Sequence, residues 1–124
     1  MSRIVVTLPL PSRLLSPNAR CHWRRKAAAV RARRRDAGYA MLAAVREQKP
    51  AGLPWRAATV ETLFLFADRR RRDKDNLLAS IKPDFDSIQD ARIVADDSRL
   101  TPAAPVIGVD ASDPRLVMTI TELP

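Results

Sequence analysis

Eight of the fourteen acidic residues of this chain fall between positions 68 and 97, and all eight are aspartate: Asp68, Asp73, Asp75, Asp84, Asp86, Asp90, Asp96 and Asp97. A short carboxylate at a strand end or a helix start suits a hard divalent cation, Mg²⁺ or in its place Mn²⁺. Asp73 and Asp75 are two residues apart, so in an extended chain both side chains would point to one side. Asp97, arriving after the intervening helix, would add a third carboxylate and leave positions open for water and phosphate. The same residues also have an ordinary structural reading. Aspartate is a favoured helix N-cap, which fits Asp73-Lys74-Asp75-Asn76 at a helix start, and Asp96–Asp97 also reads as a turn before a strand.

The residues around this cluster sharpen its chemistry. Arg69, Arg70, Arg71 and Arg72 directly precede Asp73. Carboxylates alone repel a polyanion, and arginines alone bind one without cutting it. Together they would set a phosphodiester beside a metal ion, the arrangement of metal-assisted hydrolysis. The overall charge points the same way. The net charge is +8 and the isoelectric point about 11.0, a balance that favours polyanionic partners. Residues 1–60 carry +11 and residues 61–124 carry −3, so a basic half precedes the half in which the acids concentrate. Arginine outnumbers lysine eighteen to four, and guanidinium groups bind phosphate oxygens bidentately.

These side chains need a scaffold, and the pattern predicts an α+β single domain in the order β-α-β-α-β-β, with a mixed sheet and two main helices. Ile4 to Leu8 is β-branched and stops at Pro9 and Pro11, which predicts a first strand. From Cys21 to Glu47 there is no proline and much alanine, which predicts a long helix. Trp23, Ala27, Val30, Ala37, Met41 and Ala44 mark its apolar face, and Arg24, Arg31 and Arg35 a basic one. Thr59 to Ala67 predicts a central strand ending at the arginine run. Leu77, Leu78, Ile81, Phe85 and Ile88 keep helical spacing through Pro83, which predicts one kinked helix. Strands are expected near 98–109 and 115–122.

The stretch DRRRRDKDNLL, Asp68 to Leu78, resembles the signature of the RusA family of Holliday junction resolvases. The resemblance runs on through KPDFDSI (Lys82 to Ile88), ADDSRL (Ala95 to Leu100) and LVMTITEL (Leu116 to Leu123), and the N-terminal VTLPLP and LSPNARCHW segments are similar to those of family members. It implies a dimeric, Mg²⁺-dependent endonuclease of mixed α and β fold that resolves four-way DNA junctions by paired, symmetrical incisions. It also implies three essential aspartates, matched by Asp73, Asp75 and Asp97, and an essential lysine. Where the best-known pattern places that lysine, four residues after the second aspartate, this chain has Ala79. Lys82 is its equivalent if K-x-x-F-D aligns as Lys82, Phe85 and Asp86; Lys74 fits less well. The ordinary reading of Lys82 is a solvated lysine paired with Asp86.

The remaining features narrow the choice. A lone cysteine, Cys21, excludes an intrachain disulfide and a cysteine-based zinc finger, and a lone histidine, His22, cannot build a histidine-rich metal site. No apolar run is long enough to span a membrane, and Pro9 and Pro11 break the N-terminal one, so no signal peptide is expected. The expectation is a cytoplasmic, DNA-associated protein of a bacterium or phage, acting on branched DNA as a homodimer. The apolar strand Leu63–Phe66 and the C-terminal strands are the candidate partner surfaces. Arg24, Arg31, Arg35 and Arg69–Arg72 are the candidate DNA contacts. Two other readings compete: a non-catalytic basic DNA-binding protein on the same scaffold, and an RNA-binding protein, which the absence of an RNP-like aromatic motif disfavours.

Overall fold

In the computed structural model, which describes residues 2–124, the alternating segments fold as strands with one face inward. Strand β1 (Arg3–Leu8) buries Ile4, Val6 and Leu8 and leaves Arg3, Val5 and Thr7 outside. Strand β2 (Ala58–Phe66) buries Ala58, Val60, Thr62 and Phe64. The last strand buries Leu116, Met118 and Ile120, so three alternating strands supply most of the sheet side of the core.

The sheet has five strands, completed by β3 (Leu100–Pro102), β4 (Val106–Val109) and β5 (Arg115–Glu122). Strand β5 runs antiparallel between β1 and β2, and β3 and β4 pair in parallel with successive stretches of the other edge of β2. The sheet is therefore mixed and β2 is central, as its apolar run predicts. The stretch near 98–109 forms two strands because Pro102 and Pro105 cannot donate to a ladder. A Cβ at Gly108 would stand 2.9 Å from Leu65 Cδ2, the end of a side chain that would have to shift to admit it.

Helix α1 (Trp23–Gln48) covers one face of the sheet. His22 caps it, its Nδ1 accepting the Arg24 N–H at 3.1 Å, and Lys49 closes it in the left-handed conformation, φ 50°. Its apolar stripe is the expected one, but only Ala37, Met41 and Ala44 are buried. Burial fades toward the N-terminus, and Trp23, expected inside, is 68% exposed, with Arg24 packed 5.3 Å from its ring centroid. Length explains this: a helix of 26 residues rises about 39 Å, beyond the reach of a nine-residue strand, about 30 Å long.

The second helical segment is two helices, not one kinked helix. Helix α2 (Lys74–Ser80) ends and α3 (Lys82–Asp90) begins around Ile81, whose φ of −106° and ψ of 17° leave the helical region. Pro83 has no N–H for Ala79 and would clash one turn back. The chain relieves this by tightening the last turn, with Ile81 N–H on Leu78 O at 3.2 Å and Ser80 Oγ donating to Leu77 O at 2.7 Å. Ile81 and Ile88 are fully buried, so the break is anchored in the core. The order is therefore β-α-β-α-α-β-β-β, a single α+β domain with three helices. Among the described residues no helix is long and apolar enough to cross a membrane.

Candidate functional site

The arginine run divides by role once folded. Asp68 Oδ1 accepts the Arg70 backbone N–H at 3.0 Å and Arg72 Nη2 at 2.9 Å. The two hydrogen bonds hold the Asp68 carboxyl below its usual range, the backbone one contributing most. Arg72 Nη1 also donates to the carbonyls of Asp68 (3.2 Å) and Arg70 (2.8 Å), and its guanidinium lies 3.7 Å from the centroid of the Phe66 ring. Arg72 thus folds back to brace the loop. Arg69, Arg70 and Arg71 are exposed and form no ion pair with any described residue.

Asp73 is the N-cap of α2, its Oδ1 accepting the N–H groups of Asp75 (2.8 Å) and Asn76 (3.2 Å). The chain is helical from Lys74, so the extended, same-side arrangement of Asp73 and Asp75 does not occur. Helical spacing instead sets Asp75 on the face of Leu78 and Ala79, three and four residues on, while Asp73 borders a different cleft together with Asn76, Leu77 and Ser80.

The Leu78–Ala79 face opens onto a cavity of about 350 Å³ whose wall includes Lys82, Phe85, Asp97 and Leu100. Asp97 is placed there by its backbone N–H, which donates to Gln89 Oε1 of α3 at 2.9 Å. Asp96 caps the turn instead, accepting the Ser98 N–H at 3.0 Å, and that bond is the main cause holding its carboxyl below the usual range. The two adjacent aspartates are thereby distinguished: one caps, the other faces a cavity. Lys82 is exposed, with Nζ 3.1 Å from Asp86 Oδ1, the pairing expected of a lysine four residues before an aspartate.

The donor chemistry suits Mg²⁺, which takes oxygen ligands and is commonly bound by one or two carboxylates with the rest of its shell from water and phosphate. Among the described residues, however, no three His, Cys, Asp or Glu side chains stand together as a group able to hold a metal ion. A closed cage of Asp73, Asp75 and Asp97 is therefore not preformed.

Several functional-looking groups were not evident in the sequence. Asp84 is fully buried and takes a bidentate contact from Arg33 of α1, Nε–Oδ1 2.7 Å and Nη2–Oδ2 2.8 Å. Burial pushes the Asp84 carboxyl up from its usual range and the Arg33 contact opposes that. Arg34 pairs with Asp90 at 2.7 and 2.8 Å, which holds the Asp90 carboxyl low. No sequence pattern links partners more than fifty residues apart. Of the basic face of α1, Arg24, Arg31 and Arg35 are all exposed as expected, with Arg35 near Asp36 at 3.2 Å.

No protein-family model matches the chain. It is 42% identical over 100 residues to an uncharacterized protein of Xylella fastidiosa, a match covering 76% of this chain and 60% of that relative. The chain thus spans less than two thirds of the relative's length.

Proposed function

We propose that this protein is a metal-dependent DNA endonuclease that resolves four-way junctions by phosphodiester hydrolysis. The observation that carries the reading is the cavity wall shared by Asp97 and Lys82 on the α2 face that Asp75 begins, together with three exposed arginines free of ion pairs, Arg69, Arg70 and Arg71, just before that helix in the chain. A pure binder gains nothing from carboxylates set among its phosphate contacts.

Asp75 and Asp97 are the residues that would hold the cation; Asp73 caps the helix and borders the neighbouring cleft. The bound cation would supply Lewis acidity to a phosphoryl oxygen and lower the pKa of the attacking water. The chain's own part is positioning. Arg69, Arg70 and Arg71 take backbone phosphates, and the exposed face of Arg24, Arg31 and Arg35 takes a further arm of the substrate. Lys82, released from Asp86, supplies a positive point charge beside the scissile phosphate.

Paired incisions call for two sites related by symmetry, and a two-fold dimer is the common solution. The uncovered face of the sheet suits this role: Val117, Leu63 and Val106 form a continuous apolar row across it, with Val106 59% exposed. Phe64 is unavailable, being fully buried. Light scattering at micromolar concentration is expected to report a dimer. Self-repulsion at a net charge of +8 works against it, and a monomer that still makes both cuts together counts against the pairing.

The decisive experiment is incubation with a synthetic four-way junction, with Mg²⁺ and with excess chelator. Cleavage at symmetry-related positions, abolished by chelator, is the expected result. Tight junction binding with no cleavage under either condition selects the non-catalytic DNA-binding reading, which the Lys82–Asp86 pair favours.

A further inference from the structure

The turn that follows β1 is held more firmly than a proline-bounded loop needs to be. Arg33 Nη1 donates to Pro9 O at 2.8 Å at one end, and Lys26 Nζ donates to Ser16 O at 3.1 Å at the other. Between them Leu15 is buried and Ser12 caps a short 3-10 turn over Arg13–Leu15. Arg13, on this pinned turn, lines a cleft of about 510 Å³ together with Arg70, Arg72 and Asp73. Arg13 forms no ion pair with any described residue, and neither does Arg70.

We infer that Arg13 and Arg70 form a clamp for one backbone phosphate of a DNA strand lying in this cleft. The inference rests on the nuclease reading for the identity of the strand, and adds a binding residue and a path to it. Two arginines without an ion pair line one concave site, and guanidinium is the side chain that matches phosphate oxygens two at a time. Other basic groups nearby are committed: Arg72 braces its loop and Lys26 holds the turn. The one carboxylate bordering the cleft, Asp73, has Oδ1 engaged by two backbone N–H groups, which lessens its repulsion of the anion. The wall formed by Phe66 with Arg72 stacked on it gives the adjoining sugar or base a flat surface to lie against. Pinning matters because a clamp on a mobile loop must be ordered at every binding event, at an entropic cost that a held turn avoids.

The test is fluorescence anisotropy of a labelled four-way junction across a salt series, in chelator, with the intact protein and the variants Arg13→Gln, Arg13→Lys and Arg70→Gln. Arg13→Gln and Arg70→Gln are each expected to flatten the slope of log K against log salt by about one, and Arg13→Lys to restore it. The Arg13 guanidinium is bonded to nothing that holds the fold, so its variants fold normally. Wild-type affinity and slope in Arg13→Gln overturn the clamp while leaving the nuclease reading intact. A flattened slope in a protein that never cleaves with Mg²⁺ upholds the clamp and overturns the nuclease reading. A wild-type protein that binds no junction overturns both.

Discussion

Arg33 and Asp84 meet through two parallel hydrogen bonds of 2.7 and 2.8 Å, with the aspartate fully buried and the arginine side chain 10% exposed. The pair joins α1 to α3, and the third arm of the same guanidinium holds Pro9 O at the end of β1. One side chain thus fixes the relation of the helix layer to the turn that carries Arg13. Removing one partner of such a pair leaves an uncompensated buried charge, which costs about 3–5 kcal/mol. Arg33→Met and Asp84→Leu are each expected to lower urea-unfolding stability by that order, and the double variant to lose less than the sum. Full additivity in the double-variant cycle would mean that the two residues do not interact energetically.

Asp75→Asn and Asp97→Asn each remove a charge while keeping the shape. Junction cleavage in Mg²⁺ is expected to fall by orders of magnitude, roughly the 10²–10³ or more typical of losing an essential electrostatic group. Junction affinity in chelator is expected to hold or improve, because phosphate is no longer repelled. Asp96→Asn is the contrast. Its side chain caps a turn, a role asparagine fills about as well, so it is expected to leave stability little changed and to cleave near the wild-type rate. Equal loss of cleavage in Asp96→Asn and Asp97→Asn would remove the distinction between the two.

Lys82 is tied to Asp86 at 3.1 Å, but both are on the surface side of α3 and such a pair contributes little to stability. Lys82→Met is expected to abolish most cleavage while retaining junction affinity and urea stability. Asp86→Asn, which frees the ammonium, is expected to keep cleavage at least at the wild-type rate. Near-normal turnover in Lys82→Met, measured at saturating junction, would leave Lys82 as a surface ion pair and nothing more.

Neighbours in the arginine run should behave differently. Arg71→Gln is expected to reduce the salt slope of junction binding by about one without changing the unfolding midpoint. Arg72→Gln loses a contact to the Phe66 ring, two carbonyl bonds and the Asp68 pair. It is expected to destabilise by about 1–2 kcal/mol. A run of four equivalent phosphate contacts would instead give equal slopes and unchanged midpoints.

The sequence by itself determined the local elements and the chemical character of the chain. β-Branched residues stopped by prolines marked β1, a half-alternating, half-continuous apolar run marked β2, the proline-free alanine-rich stretch marked α1, and an aspartate cap at Asp73 or Asp75 was legible because capping depends only on the next three residues. The basic and acidic halves, and the meeting of arginines with aspartates near residue 70, are also properties of the chain alone. Tertiary structure decided what depends on partners distant in sequence. It decided that Pro83 ends a helix, because Ile81 is drawn into the core and the last turn of α2 closes on itself. It decided that Trp23 lies outside, because the helix outruns the strands beneath it. It separated Asp96 from Asp97 and Arg72 from Arg71, residues alike in type and adjacent in position, by giving one of each pair a bonded partner inside its own turn. And it brought Arg13 and Arg70 to the lining of one cleft, through a turn held by Arg33 and Lys26. A guanidinium's role is set by which acceptors lie within its reach once folded, and residue type and spacing do not specify those acceptors.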